Sequence, residues 1–139
     1  MAERLKFSYE RGQDDVFRPY LWLDVRTEGG HTTKVRGLLD SGADVSLMGV
    51  GYAEALGLAP GDFDEVSTRG PAGQVPGKQS RKIIYAILPG AGRRATELRP
   101  IFFEGGLGAR WGRDFMNDYR VAFDQPALQF SLFVLEPEP

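Results

Sequence analysis

An aspartate in a tight turn, between an apolar run and small residues, can present its carboxylate to a reacting partner, and Asp40 in GLLDSGADVSLM is placed in this way. Gly42 follows, where the missing side chain lets the backbone take almost any conformation. A carboxyl so held could take up or give a proton in a hydrolytic step. Asp-Ser-Gly also builds ordinary turns, so the tripeptide alone leaves a structural reading open. The second feature is WGRDFM, an apolar-Gly-Arg segment about seventy residues downstream.

Other chemistries find little support. The 139 residues contain no cysteine and one histidine, which removes thiol nucleophiles, disulfides and a multi-histidine metal site within one chain. His31 reads as a solvated turn residue, since nothing in the spacing supplies the hydroxyl and orienting carboxylate of a serine-histidine-aspartate relay. GVGYAE and GGLGAR are glycine-rich, yet neither completes a dinucleotide fingerprint or a P-loop. A formal charge of −2 gives no general attraction to phosphate backbones, so nucleic acid is not an expected partner. No apolar run approaches the roughly 20 residues of a membrane span, and MAERLKFSYERGQDD lacks the apolar segment of a secretory signal; no membrane partner and a cytoplasmic location are the expectations. No metal or cofactor is expected.

The elements that must position Asp40 are mostly strands. At this length a single domain is expected, burying about two-thirds of the surface of the unfolded chain. PYLWLDVRT and TTKVRGLL should pair as a hairpin about Glu28-Gly29-Gly30, delivering the chain to Asp40. In GVGYAEALGL, Val50, Ala53 and Leu56 share one helical stripe and Gly57 stands as terminator. DFDEVST reads as a strand, followed by RGPAGQVPGKQSR as a mobile hairpin. KIIYAILP reads as a buried strand, PGAGRR as a turn, ATELRPIFF as a returning strand, and EGGLG as a loop. The remainder gives a short helical segment and two strands about Asp124-Gln125-Pro126. Residues 1–17 read as an arm able to pair as an edge strand rather than as core, 18–135 as the domain, and 136–139 as a frayed tail. Trp22, Trp111 and the phenylalanines of IFF and FSLF read as core or subunit interface.

Together, LLDSGADVSLM and WGRDFM resemble the retropepsin family of aspartic proteases over roughly Arg18 to Phe133, nearer its bacterial and cellular single-domain members than the viral enzymes. The resemblance implies an all-β fold, closed and barrel-like, with one or two short helices. It makes Asp40 the catalytic acid/base, Ser41 a brace between two active-site loops, Gly42 the residue that enables the turn, and Ala43 and Asp44 the border of the substrate cleft. It further implies an ion pair between Asp44 and Arg113, and a flap formed by Gly70, Pro71, Ala72, Gly73, Gln74, Val75, Pro76 and Gly77. Arg110 departs from the pattern, which has an apolar residue there; either that packing layer differs or Arg110 snorkels.

Hydrolysis of a peptide by carboxyl groups needs one ionised and one protonated, and this chain supplies a single Asp-Ser-Gly. The resemblance therefore implies a C2 homodimer whose two Asp40 residues share one proton and act on an extended polypeptide under the flap. The LQFSLF strand and the N-terminal arm are the candidates for pairing across the axis. Two other readings stay open: a peptide-binding or assembly module with little turnover, and a piece of a larger enzyme that supplies the second aspartate.

Overall fold

The computed structural model describes residues 3–70, 73–90, 94–105 and 108–135. The expected tail 136–139, Pro71 and Ala72 of the expected flap, and parts of the PGAGRR and EGGLG loops lie outside these residues. The elements run β1 (Arg4–Ser8), β2 (Glu10–Arg11), β3 (Phe17–Arg18), β4 (Tyr20–Arg26), β5 (Thr32–Leu39), β6 (Leu47–Gly49) and α1 (Val50–Ala55). They continue with β7 (Phe63–Gly70), β8 (Gly73–Ser80), β9 (Ile84–Ile87), β10 (Ala95–Leu98), β11 (Ile101–Phe103), β12 (Ala109–Trp111), α2 (Arg113–Met116), β13 (Tyr119–Asp124) and β14 (Gln129–Val134). The fold is thus all-β, with two short α-helices and a 3-10 turn at Pro60–Asp62 among the described residues.

Alternation writes the central hairpin. Leu21, Leu23 and Val25 of β4 face the same core as Val35, Gly37 and Leu39 of β5, while the residues alternating with them are more exposed, the period of a half-buried strand. Around this pair curls a nine-stranded sheet in the order β10-β9-β4-β5-β12-β6-β11-β8-β7, a half-barrel whose outer strands β10 and β7 do not pair with each other. The expected single strand ATELRPIFF is divided at Arg99-Pro100, and its halves, β10 at the edge and β11 between β6 and β8, lie in opposite halves of this sheet. Proline has no N–H to continue a ladder, which suits it to the crossover.

Helix α1 ends as its glycine requires. Gly57, at φ +69°, donates to the Glu54 carbonyl, and Leu58 donates to that of Ala53, a Schellman closure. Ala53 and Leu56 are buried, but Val50, expected on the same stripe, is exposed at the first helical position and faces the cavity described below.

A second sheet, β1-β14-β13, gathers the two ends of the chain. β1 is its edge, as the mixed charge of the arm suggested, but Tyr9 just beyond it is 6% exposed and belongs to the core. The LQFSLF strand, a candidate for pairing across a subunit axis, is paired within the single chain. It is β14, the central strand, and β1 and β13 fill both its edges. Phe115 joins the two sheets, its ring 6.1 Å from that of Trp111 and 5.0 Å from that of Tyr119. Trp111 lies in the core, whereas Trp22 is 48% exposed on the outer face of β4.

Candidate active site

Asp40 stands at the end of β5, and its position is fixed by β12, which inserts between β5 and β6. β12 runs parallel to β5, with Arg110 in register with Leu38 and Trp111 with Leu39, and antiparallel to β6. The Asp40 N–H donates to the Trp111 carbonyl at 3.0 Å, so the turn begins where the inserted strand ends. That insertion requires a close approach. A Cβ on Gly37 would lie 2.5 Å from the Trp111 ring, whose Nε1 donates to the Leu21 carbonyl at 2.9 Å across the sheet.

The turn is closed from within. The N–H of Gly42 donates to Asp40 Oδ1 at 2.9 Å, and that of Ala43 to the Asp40 carbonyl at 3.2 Å, an aspartate turn that keeps the carboxylate at the protein surface. Ser41 and Gly42 are exposed, Ala43 is half-buried, and Asp44 is exposed and forms an ion pair with Arg113. The Ser41 hydroxyl has no hydrogen bond among the described residues.

Beneath the turn the brace is Ser46. Fully buried, its hydroxyl donates to Asp114 Oδ1 at 2.7 Å and accepts from the Gly112 N–H at 3.1 Å, while its N–H donates to Asp114 Oδ2 at 2.9 Å. Arg113 N–H adds a bond to the Ala43 carbonyl at 2.8 Å. Gly112 is obligatory at this crossing, since a Cβ there would meet the Ala43 oxygen at 2.7 Å. Ser46 and Asp114 went unnoticed in the sequence, where the only signal was a serine among apolar residues in DVSLM and an aspartate beside Arg113.

Arg110 neither packs in an apolar layer nor snorkels away. In parallel strands residues in register share a face, so Arg110 lies with Leu38 and, one repeat on, with Asp40, opposite the buried Ala109 and Trp111. Its Nη1 donates to Asp40 Oδ2 at 2.9 Å, with the Arg110 side chain 43% and the Asp40 side chain 25% exposed.

Of the expected flap residues, Gly70 and Gly73 to Gly77 belong to the β7–β8 hairpin, with Gly70 opposite Gly73 and Ser67 opposite Pro76. Beyond Lys78 and Gln79, which pair with β11, no strand among the described residues flanks β8 on its other side. Pro76 is tolerated there because a missing donor costs nothing on an unpaired edge. Under the hairpin lies a cavity of about 600 Å³, lined by Val66, Val75, Pro76, Val50 and Phe102 with Glu65, Lys78 and Glu104 at its polar margin. Asp40 is not among its lining residues. No group of three or more His, Cys, Asp or Glu residues among those described could hold a metal ion, and no helix is long and apolar enough to cross a membrane.

No family model and no curated protein matches the sequence. Solved structures do. A retropepsin-like aspartic protease from Rickettsia conorii superposes with a TM-score of 0.63 at 14% identity, over 96% of this chain and 94% of its own. EIAV protease, in complex with the inhibitor HBY-793, gives 0.53 at 19% identity, over 73% of this chain and 86% of its own. With β12 threaded between β5 and β6 behind Asp40, the chain has the retropepsin fold.

Proposed function

We propose that the chain is an aspartic endopeptidase that hydrolyses extended polypeptide segments as a homodimer, with Asp40 of each subunit forming the catalytic pair. One observation carries this reading: in a retropepsin fold, the Asp40 carboxylate is held in a closed turn at the end of a strand, above a buried Ser46–Asp114 network that supports it. A surface carboxylate with a built support is suited to meet a second copy of itself, and two such groups supply the base and the acid that peptide hydrolysis needs. The ionised one takes a proton from water as it attacks the carbonyl carbon; the protonated one donates toward the carbonyl oxygen. A cleft that forms between subunits also accounts for the absence of Asp40 from the cavity of the single chain.

In this reading Gly70 to Gly77 close over the substrate by strand-like hydrogen bonding, and Ala43 and Asp44 border the cleft. Ser41, exposed and without an internal partner, faces its counterpart loop. Within one chain β14 is flanked by β1 and β13, and among the described residues the outer edges of β1 and β13 carry no further strand, which leaves them available to a second subunit. No cofactor takes part.

A second reading, a peptide-binding module with little turnover, is favoured by the Arg110 guanidinium on Asp40 Oδ2. Incubation with unfolded proteins at about pH 4 to 7 separates the two. Wild-type protein should release peptides, and Asp40→Asn should release none while remaining folded. Binding of peptides without products, unchanged in Asp40→Ala, would select the second reading.

A further inference from the structure

The bond between Arg110 and Asp40 has no part in the chemistry above and obstructs it. Asp40 Oδ1 accepts from Gly42 N–H at 2.9 Å, and Oδ2 accepts from Arg110 Nη1 at 2.9 Å. A guanidinium on Oδ2 occupies the oxygen left for a water or a second carboxyl. Yet the pair is only part-buried, with 43% of the Arg110 side chain and 25% of the Asp40 side chain open to solvent, which leaves the guanidinium within reach of an incoming carboxylate. Among the described residues Asp40 is the only hydrogen-bond partner of the Arg110 side chain, which leaves most of its five donors unused. Its neighbours in register, Leu38 and Leu47, offer no competing charge.

A guanidinium with unused donors in a fixed fork matches a carboxylate better than any apolar side chain. We propose that Arg110 is a specificity-determining residue that exchanges Asp40 for the carboxylate of a substrate Asp or Glu next to the scissile bond. This rests on the reading of Asp40 as catalytic. The exchange frees Oδ2 only when an acidic side chain has arrived, so recognition and release of the catalytic carboxylate are one event. In a twofold assembly an Arg110 would flank the pair on each side, so an acidic residue on either side of the bond would serve.

The test uses peptides with a reduced, uncleavable amide at the central bond and Glu, Gln or Leu beside it. Their binding to the wild type, Arg110→Leu and Arg110→Lys is measured by calorimetry, with circular dichroism confirming each fold. The wild type should bind the Glu peptide about tenfold more tightly than the Gln peptide, as suits a charge-assisted pair. Arg110→Leu should lose that preference and favour Leu, and Arg110→Lys should keep part of it. Equal binding of Glu and Gln by the wild type, a Glu preference that survives in Arg110→Leu, or no binding at all would overturn the inference. Cleavage of the matching ordinary peptides is scored separately. Glu-selective binding without products keeps the recognition role and sinks the hydrolytic reading, whereas products without Glu preference do the reverse.

Discussion

The turn that carries Asp40 and the hairpin of β7 and β8 are both tight reversals in a β protein, yet they are held by different bonds. The Asp40 turn rests on a buried side-chain network in which Ser46, Asp114 and the backbone of Gly112 satisfy one another. The hairpin beyond Lys78 has only its own ladder, with alternate residues open to solvent. Rigid support suits a group that must be held in one place. A segment with few buried contacts is one that can open locally at low cost, as a lid over a substrate must.

Substitutions can break this contrast, and the largest effect should come from Asp114. Asp114→Ala leaves a buried hydroxyl and a backbone N–H without their charged acceptor and should destabilise the protein by about 3 kcal/mol in urea unfolding. Next is Gly37→Ala, where the added methyl meets the Trp111 ring; overpacking of this kind should cost about 2 kcal/mol, read as a lower thermal midpoint. Ser46→Ala removes the hydroxyl but keeps the backbone N–H bonded to Asp114, so about 1 kcal/mol is expected. The smallest effect on stability belongs to the hairpin. Val75→Ser, at the half-buried cavity wall, should change stability by less than about 1 kcal/mol while raising the KM for peptides. A Val75→Ser protein that unfolds as readily as Asp114→Ala would erase the distinction between the two regions.

Local pattern made much of this legible in the sequence. The alternation in PYLWLDVRT and TTKVRGLL, the glycine turn between them and the Gly57 stop each act within a few residues, and the β4–β5 hairpin and α1 follow from them. β6 and β12 were not legible. Each has three residues, too few to show a period, and each is made a strand only by neighbours distant in sequence. The same limit hid the site's support, since Ser46 and Asp114 are 68 residues apart and no spacing rule joins them. Arg110 was noticed as a departure, but reading it as a packing problem mistook its face. Only the register of β12 against β5 puts it beside Asp40 instead of beside Trp111.

The central claim is that Asp40 is half of a catalytic pair completed by a second chain. Mixing tests it most directly. Wild-type and Asp40→Asn chains are unfolded together in equal amounts, refolded so that subunits associate at random, and assayed against an unfolded protein substrate. If each active unit needs two wild-type chains, about one quarter of the activity of the same total amount of wild type should remain, because only that share of random pairs holds two intact carboxylates. Retention of about one half would mean that each chain acts alone, and would contradict the account.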